Sequence, residues 1–256
     1  MVNGMRIRFT FDFREKLTLP IHYNQLVQAF IYTNIPDKEL QVKYHDMGFV
    51  TTDGKHIKMF TFSRLFGKYH MEQNNKLITF FPPVTLTVSS VGSDFLSDFT
   101  EEVLRSNLLY LNGTKLSVKT FEPLSFKGEK ERIQIEMLSP LTVYKTINTN
   151  GKKHTMYFSP WDEEFTELIR NNMMSKISAT DNSSDLANFN FSIKPMMQHD
   201  EKFQKVINFK NTVIKSWLGS YLVTGSEEMI QLAYYGGIGA KNSEGFGCFR
   251  VFGSGE

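Results

Sequence analysis

The chain has 256 residues, 41% of them hydrophobic, with 29 Lys and Arg against 27 Asp and Glu and a net charge of +2. That is enough for one large domain or two of roughly 125 residues, and so even a charge balance does not by itself announce a nucleic-acid binder. The single cysteine, Cys248, excludes an internal disulfide and a cysteine-based zinc site. There is no signal-type leader and no apolar run of about 18 residues, so a protein without membrane contact in a reducing cytoplasm is expected.

In MRIRFTFDF, Met5, Ile7, Phe9, Phe11 and Phe13 alternate with Arg6, Arg8, Thr10 and Asp12, the pattern of a half-buried strand. Residues 21–34 then place Tyr23, Leu26, Val27 and Phe30 on one face of an amphipathic helix. Apolar runs at 58–65, 76–82 and 84–91 read as strands. Phe95, Phe99 and Val103 mark a helix over about 94–107, and 114–124 closes the half as a strand. The polar segment SFKGEKE (125–131) is the expected joint.

The second half repeats the plan. RIQIEMLSPLTV (132–143) is a bent strand or strand pair, and WDEEFTELIRNNMMSKI (161–177) is a helix. ATDNSSD (179–185) is a loop by composition, and 188–196 and the basic run to about Leu222 are strands. Ser226, with Glu227 and Glu228 behind it, caps a helix over 226–235, and CFRVF is the last strand. Two β-α-β-β-α-β units make an α+β protein of two tandem ferredoxin-like (RRM-like) domains, 1–124 and 125–256.

Between the last helix and last strand, five glycines fall within residues 236–247, with Lys241 among them. A dinucleotide fingerprint follows a strand and opens a helix, the reverse of the order here, and no Gly-Lys-Ser/Thr ends the loop as in a Walker A motif. The glycines serve either a structural turn or a close approach by another group. Lys202, Lys205, Lys210 and Lys215 crowd the preceding run, against one acid, Glu201. They form either a solvated strand face or a basic track.

Gly237-Ile238-Gly239, five residues, then Gly245-Phe246-Gly247 resembles the signature of the CRISPR-associated endoribonucleases of the repeat-associated mysterious protein (RAMP) superfamily, the "Cas six" type that cuts precursor CRISPR RNA. LPIHYNQLVQAFIY (19–32) and LSPLTV (138–143) are also similar to that family, so the likeness spans nearly the whole chain. It implies a metal-independent nuclease that binds CRISPR repeat RNA, needs no cofactor, and works as a monomer or homodimer or beside other CRISPR effector subunits. It also implies an RNA-binding role for Gly237, Gly239, Lys241, Gly245 and Gly247, with the 202–215 lysines extending the track.

Cutting RNA through its own 2′-hydroxyl needs a base, an acid and a cation near the phosphorane. Histidine suits the first two roles because its pKa lies near neutrality, and lysine suits the third as a compact charge. Of six histidines, His45 lies where the family's catalytic histidine falls, with His56 the rival. Tyr32, opposite the apolar face of its helix, matches the family's tyrosine, which implies a catalytic role for its phenol in orienting the scissile phosphate or assisting proton transfer. Lys58 matches its lysine, with Lys43 and Lys55 as alternates. Two other readings stand beside this one: a RAMP subunit that holds guide RNA without cutting it, and a ferredoxin-like small-molecule protein with a closed apolar pocket. In the cutting case, the loop glycines are expected to line an open surface beside basic residues.

Overall fold

The computed structural model describes residues 2–44, 48–72, 74, 76–127, 131–149, 151–180 and 190–253. His45, the centre of the expected joint and most of the 179–185 loop lie outside the described residues. The chain opens with β1 (Met5–Asp12), β2 (Leu17–Pro20), α1 (Asn24–Thr33), α2 (Lys38–Val42), β3 (Phe49–Val50) and β4 (His56–Ile57). It continues through β5 (Phe60–Phe62), β6 (Phe66–Glu72), β7 (Leu77–Ser90), α3 (Ser93–Arg105), β8 (Leu109–Leu111) and β9 (Thr114–Pro123). Strand pairing gives the order β9-β1-β7-β5, the ferredoxin-like arrangement, with every pair antiparallel. The alternation of β1 sends Phe9 and Phe11 to the helix side, where they meet Phe99 of α3 and Phe30 of α1 edge-on at 5.6 and 5.7 Å.

Four strands were expected in this sheet, but β2, β6 and β8 widen it to seven among the described residues. The runs 76–82 and 84–91 are also one strand, β7, rather than two. Prolines argue against a strand interior because they have no N–H to donate. Pro82 and Pro83 escape that rule by falling where the ladder is unpaired: the β2 partners of β7 end at Phe80, its β1 partners begin at Val84, and its pairing with β6 skips from Phe81 to Val84.

The second unit holds β10 (Arg132–Met137), β11 (Tyr144–Thr149), β12 (Lys152–Tyr157), α4 (Glu164–Ser178) and β13 (Phe191–Pro195). After these come β14 (Gln204–Phe209), β15 (Thr212–Trp217), β16 (Ser220–Gly225), α5 (Glu227–Gly236) and β17 (Phe249–Val251). Its four-stranded sheet runs β13-β16-β10-β17, again the ferredoxin-like order, and is separate from the first. The Ser226 hydroxyl accepts from the Met229 N–H at 3.4 Å, starting α5 where the sequence places it. β11–β12 and β14–β15 are two-stranded hairpins outside this sheet.

Each sheet has its own core, one running from Ile7 to Leu116 and one from Ile133 to Val251. Met59 and Val91 of the first unit are buried in the second core. Arg6, 1% exposed, crosses the same boundary from β1. Its guanidinium donates to the carbonyls of Tyr234 (3.1 Å) and Phe249 and lies 4.1 Å over the Tyr234 ring.

Candidate functional site

The glycine loop lies between the two units, and its four motif glycines are buried. The expectation that they line an open surface is therefore corrected. All four have positive φ, 74–85°, and the space around them is filled. A side chain at Gly247 would meet the Ile238 carbonyl at 2.0 Å, and one at Gly239 would meet Leu141 at 2.5 Å and the Thr142 carbonyl at 2.7 Å. Gly239→Val would disturb this packing before it disturbed any ligand.

Two polar side chains hold the loop from inside. Asn242, 5% exposed, donates to the carbonyls of Ile238 (3.2 Å) and Phe246 (3.0 Å). Lys176 of α4, 1% exposed, donates to the carbonyls of Gly237 (2.7 Å) and Gly239 (2.8 Å) and to Oδ1 of Asn242 (2.7 Å). Three acceptors match the three protons of an ammonium group. Burial opposes that charge and lowers the Lys176 pKa to about 7.

The first unit grips the loop's other side. Asn24 and Gln28 of α1 donate to the carbonyls of Glu244 (2.9 Å) and Ser243 (2.7 Å), and Thr61 of β5 donates to that of Phe246 (2.9 Å). Helix α1 thus has two buried stripes. Val27, Phe30 and Ile31 face the sheet; Asn24, Gln28 and Tyr32, four residues apart in turn, face the loop and the 43–44 segment.

Tyr32 is the second correction. It is 6% exposed, packs edge-on against Phe60 at 5.5 Å, and donates its hydroxyl to the Tyr44 carbonyl at 3.1 Å. The polar residues on its own stripe of the helix, Asn24 and Gln28, meet protein rather than water, which is why it is not on a surface. Its partner, Tyr44, immediately precedes His45. The chain returns at Gly48, whose N–H donates to the Lys43 carbonyl at 2.6 Å. A side chain at Gly48 would meet the Ile57 carbonyl at 2.6 Å and the Lys58 amide at 3.4 Å. Lys58, half-buried, therefore has its backbone against Gly48, three residues beyond His45. Of the alternates, Lys43 is paired with Asp94 at 3.2 Å and Lys55 with Asp53. His56 is exposed on β4.

Lys241 adopts a left-handed conformation (φ 59°), 5.7 Å from the Tyr144 ring centre and 3.3 Å from the Glu244 carboxylate. Phe246 carries Phe209 and Ile214 on its buried side, with Tyr157 packed against them, so both hairpins rest on the glycine loop. They hold the expected lysines. Lys210 sits at the tip of β14–β15, Lys215 is exposed on β15, Lys202 is paired with Asp200 at 2.9 Å, and half-buried Lys205 donates to the Lys202 carbonyl. The β11–β12 hairpin adds exposed Lys145, Lys152, Lys153 and His154. Its weak alternation hid it in the sequence.

A cleft of about 310 Å³ lies between the two sheets, lined by Arg8, Arg64, Arg250 and Phe66 among others. Arg250 is bound to Glu136 at 2.6 Å, Arg8 lies 3.7 Å from Glu122, and Arg64 stacks over Phe66 at 5.2 Å. Arg8 sits on β1, Arg250 on β17 and Arg64 in the link between β5 and β6, so only the fold brings them together. Among the described residues no set of three His, Cys, Asp or Glu is placed to hold a metal, and no helix is long and apolar enough to cross a membrane.

Two βαββαβ sheets closed around a buried Gly-x-Gly loop define a tandem ferredoxin-like protein. The chain belongs to the family described as "CRISPR associated protein Cas6, C-terminal", whose model matches residues 121–251, just over half the chain. It is 23% identical over 251 residues to "CRISPR-associated endoribonuclease Cas6 1" of Methanocaldococcus jannaschii, covering 96% of this chain and 92% of that protein. Among solved structures it is similar to one described as "Characterization of a Cas6-related gene from Pyrococcus furiosus" (TM-score 0.81, 20% identity, 98% and 99% of the two chains). It is also similar to "An RAMP protein binding different RNA substrates" (TM-score 0.79, 20% identity, 96% and 99%). At that identity the structures establish the shared fold.

Proposed function

We propose that this protein is an endoribonuclease that cuts precursor CRISPR RNA within its repeats. The attack comes from the RNA's own 2′-hydroxyl, without a metal, and leaves a 2′,3′-cyclic phosphate and a 5′-hydroxyl. The observation that carries this is the backbone of Lys58 lying against Gly48, three residues beyond His45, in a chain of the Cas6 family. His45 moves the protons and Lys58 steadies charge on the phosphorane. Tyr32, whose hydroxyl donates to the Tyr44 carbonyl, anchors the residue that precedes His45.

In this reading, residues 1–124 carry the chemistry and 125–256 much of the grip on RNA. The four glycines serve binding by holding Lys241 and the hairpins in place. Lys202, Lys205, Lys210 and Lys215 supply salt-dependent attraction. Incubation with a synthetic RNA of the host's own repeat, in EDTA, gives one cut with the product ends named above. Loss of cutting in EDTA that Mg²⁺ restores, or a 3′-hydroxyl end, overturns the mechanism.

Lys210→Ala and Lys215→Ala weaken repeat-RNA binding and flatten its dependence on salt. The slope of log affinity against log salt falls by about 0.7–0.9 for each phosphate no longer neutralised. Single-turnover cleavage at saturating protein stays near the wild-type rate. Filter binding at several salt concentrations checks this, and unchanged slopes remove the hairpin from the RNA track.

The second reading, a RAMP subunit that holds guide RNA without cutting, is favoured by one observation: Tyr32 is buried and its hydroxyl donates to the Tyr44 carbonyl. Tight repeat binding with no cut product supports that reading.

A further inference from the structure

The β11–β12 hairpin buries almost nothing, yet its strands pair over their full length, from Tyr144 opposite Tyr157 to Thr149 opposite Lys152. Every residue of β11 is exposed, and so is every residue of β12 but Tyr157. A two-stranded ribbon with water on both faces is marginal by itself, so its side chains serve something other than a core. Their composition points to a polyanion. Residues 144–157 include Lys145, Lys152 and Lys153 and no Asp or Glu, and β14–β15 beside them repeats this with Lys205, Lys210 and Lys215.

Residues opposite each other in an antiparallel ladder share a face. One face of β11–β12 therefore holds Tyr144 and Tyr157 at its base, then Thr146 and Thr155, then Asn148 and Lys153. The two rings are 5.8 Å apart between centroids and inclined at 59°. Tyr157 is held in place by packing on Phe209, Ile214 and Phe246. Tyr144 is 36% exposed, with the Lys241 ammonium 5.7 Å from its ring centre. The Glu244 carboxylate lies 3.3 Å from Lys241 and takes up part of its charge, so the lysines of the hairpin supply most of the attraction. An aromatic ring beside ammonium groups suits an unpaired base and its phosphate, since every base has a π-face that stacks without hydrogen-bond readout.

We propose that Tyr144, braced by Tyr157, is a stacking platform for an unpaired base of the bound RNA, and that the strand runs on along the same face past Thr146 and Thr155 to Lys153. The proposal rests on the reading of this protein as a binder of CRISPR repeat RNA. Tyr144 and Lys153 stand about 13 Å apart along the ribbon, so they hold separate points of one strand. The β14–β15 lysines attract phosphates; this face grips a base, which those lysines do not.

The test is filter binding of the repeat RNA at several salt concentrations to the wild-type protein and to Tyr144→Ala, Tyr144→Leu, Tyr144→Phe and Tyr144→Trp. Tyr144→Ala is expected to bind about 5- to 150-fold more weakly, the usual loss for one stacked base. Its salt slope stays that of wild type because no charge is removed, unlike the slopes of Lys210→Ala and Lys215→Ala. Tyr144→Phe and Tyr144→Trp keep the π-face and bind within threefold of wild type. Tyr144→Leu keeps bulk without a π-face, is as weak as Tyr144→Ala, and carries the test if Tyr144→Ala does not fold. Abasic sites placed one at a time along the RNA locate the base: at one position the loss seen with wild type is absent with Tyr144→Ala. Wild-type affinity in Tyr144→Ala or Tyr144→Leu, or an abasic scan in which every loss adds to that of Tyr144→Ala, overturns the platform and leaves RNA binding standing. An equal loss in Tyr144→Phe assigns the effect to the hydroxyl and also overturns stacking. Failure of the wild-type protein to bind the repeat RNA overturns the reading beneath it.

Discussion

Replacing His45 with alanine slows cleavage of the repeat RNA by two or more orders of magnitude while RNA affinity barely changes. The size follows from general acid–base catalysis, which typically contributes about 10²–10⁴-fold. The split follows from charge: a neutral imidazole adds little to the attraction of phosphates, which comes from lysine and arginine. On the proposed mechanism Lys58→Ala slows cleavage as well and also weakens binding slightly, because it removes the cation assigned to the reacting phosphate. Rate at saturating protein and affinity must be measured on the same RNA, since either alone confuses the two roles. A His45→Ala protein that cuts at the wild-type rate removes His45 from the mechanism and makes His56 the next residue to replace.

Lys176→Met lowers the melting temperature by about 6–12 °C. The substitution leaves the carbonyls of Gly237 and Gly239 and the amide oxygen of Asn242 buried without their donor. Each such orphan costs roughly 1–3 kcal/mol. Removing a buried charge recovers part of this, so a net loss near the lower bound, about 3 kcal/mol, is expected. A chain of this size loses roughly 2–4 °C per kcal/mol. The same lysine leaves a signature in pH. Its pKa falls from 10.5 unfolded to about 7 folded, so between those values the unfolded chain binds the extra proton. Stability therefore rises as pH increases through that window, and this part of the rise is absent in Lys176→Met. Calorimetry across pH 7–10 checks both effects, and an unchanged melting temperature would show that the loop does not depend on its lysine.

Much of this architecture was legible because its signals are local. The alternation in β1, the Ser226 cap and the Gly-x-Gly spacing each depend on a few adjacent residues. The site was less legible because its groups meet across the two units. Asn24 and Gln28 are polar residues of α1, and nothing in that helix tells that a loop more than 200 residues away covers them. Tyr32 was misplaced for the same reason. Lys176 did leave a trace: it lies in register with Phe165, Ile169, Met173 and Ile177, a lone charge on the apolar stripe of α4. A charge in that place predicts a buried partner, though not which one.

The second stripe of α1 also limits how this protein can be recombined. Asn24 grips the glycine loop and Tyr32 grips Tyr44, the residue before His45, the two side chains standing eight residues or about 12 Å apart along one rigid helix. One residue added or removed between them turns one end by about 100° relative to the other, so no insertion there can satisfy both. The two halves are therefore not interchangeable parts. A chimera that joins the first half of this chain to the second half of a distant relative keeps both folds, yet inherits a helix cut to another partner's length, and its cleavage suffers before its stability does.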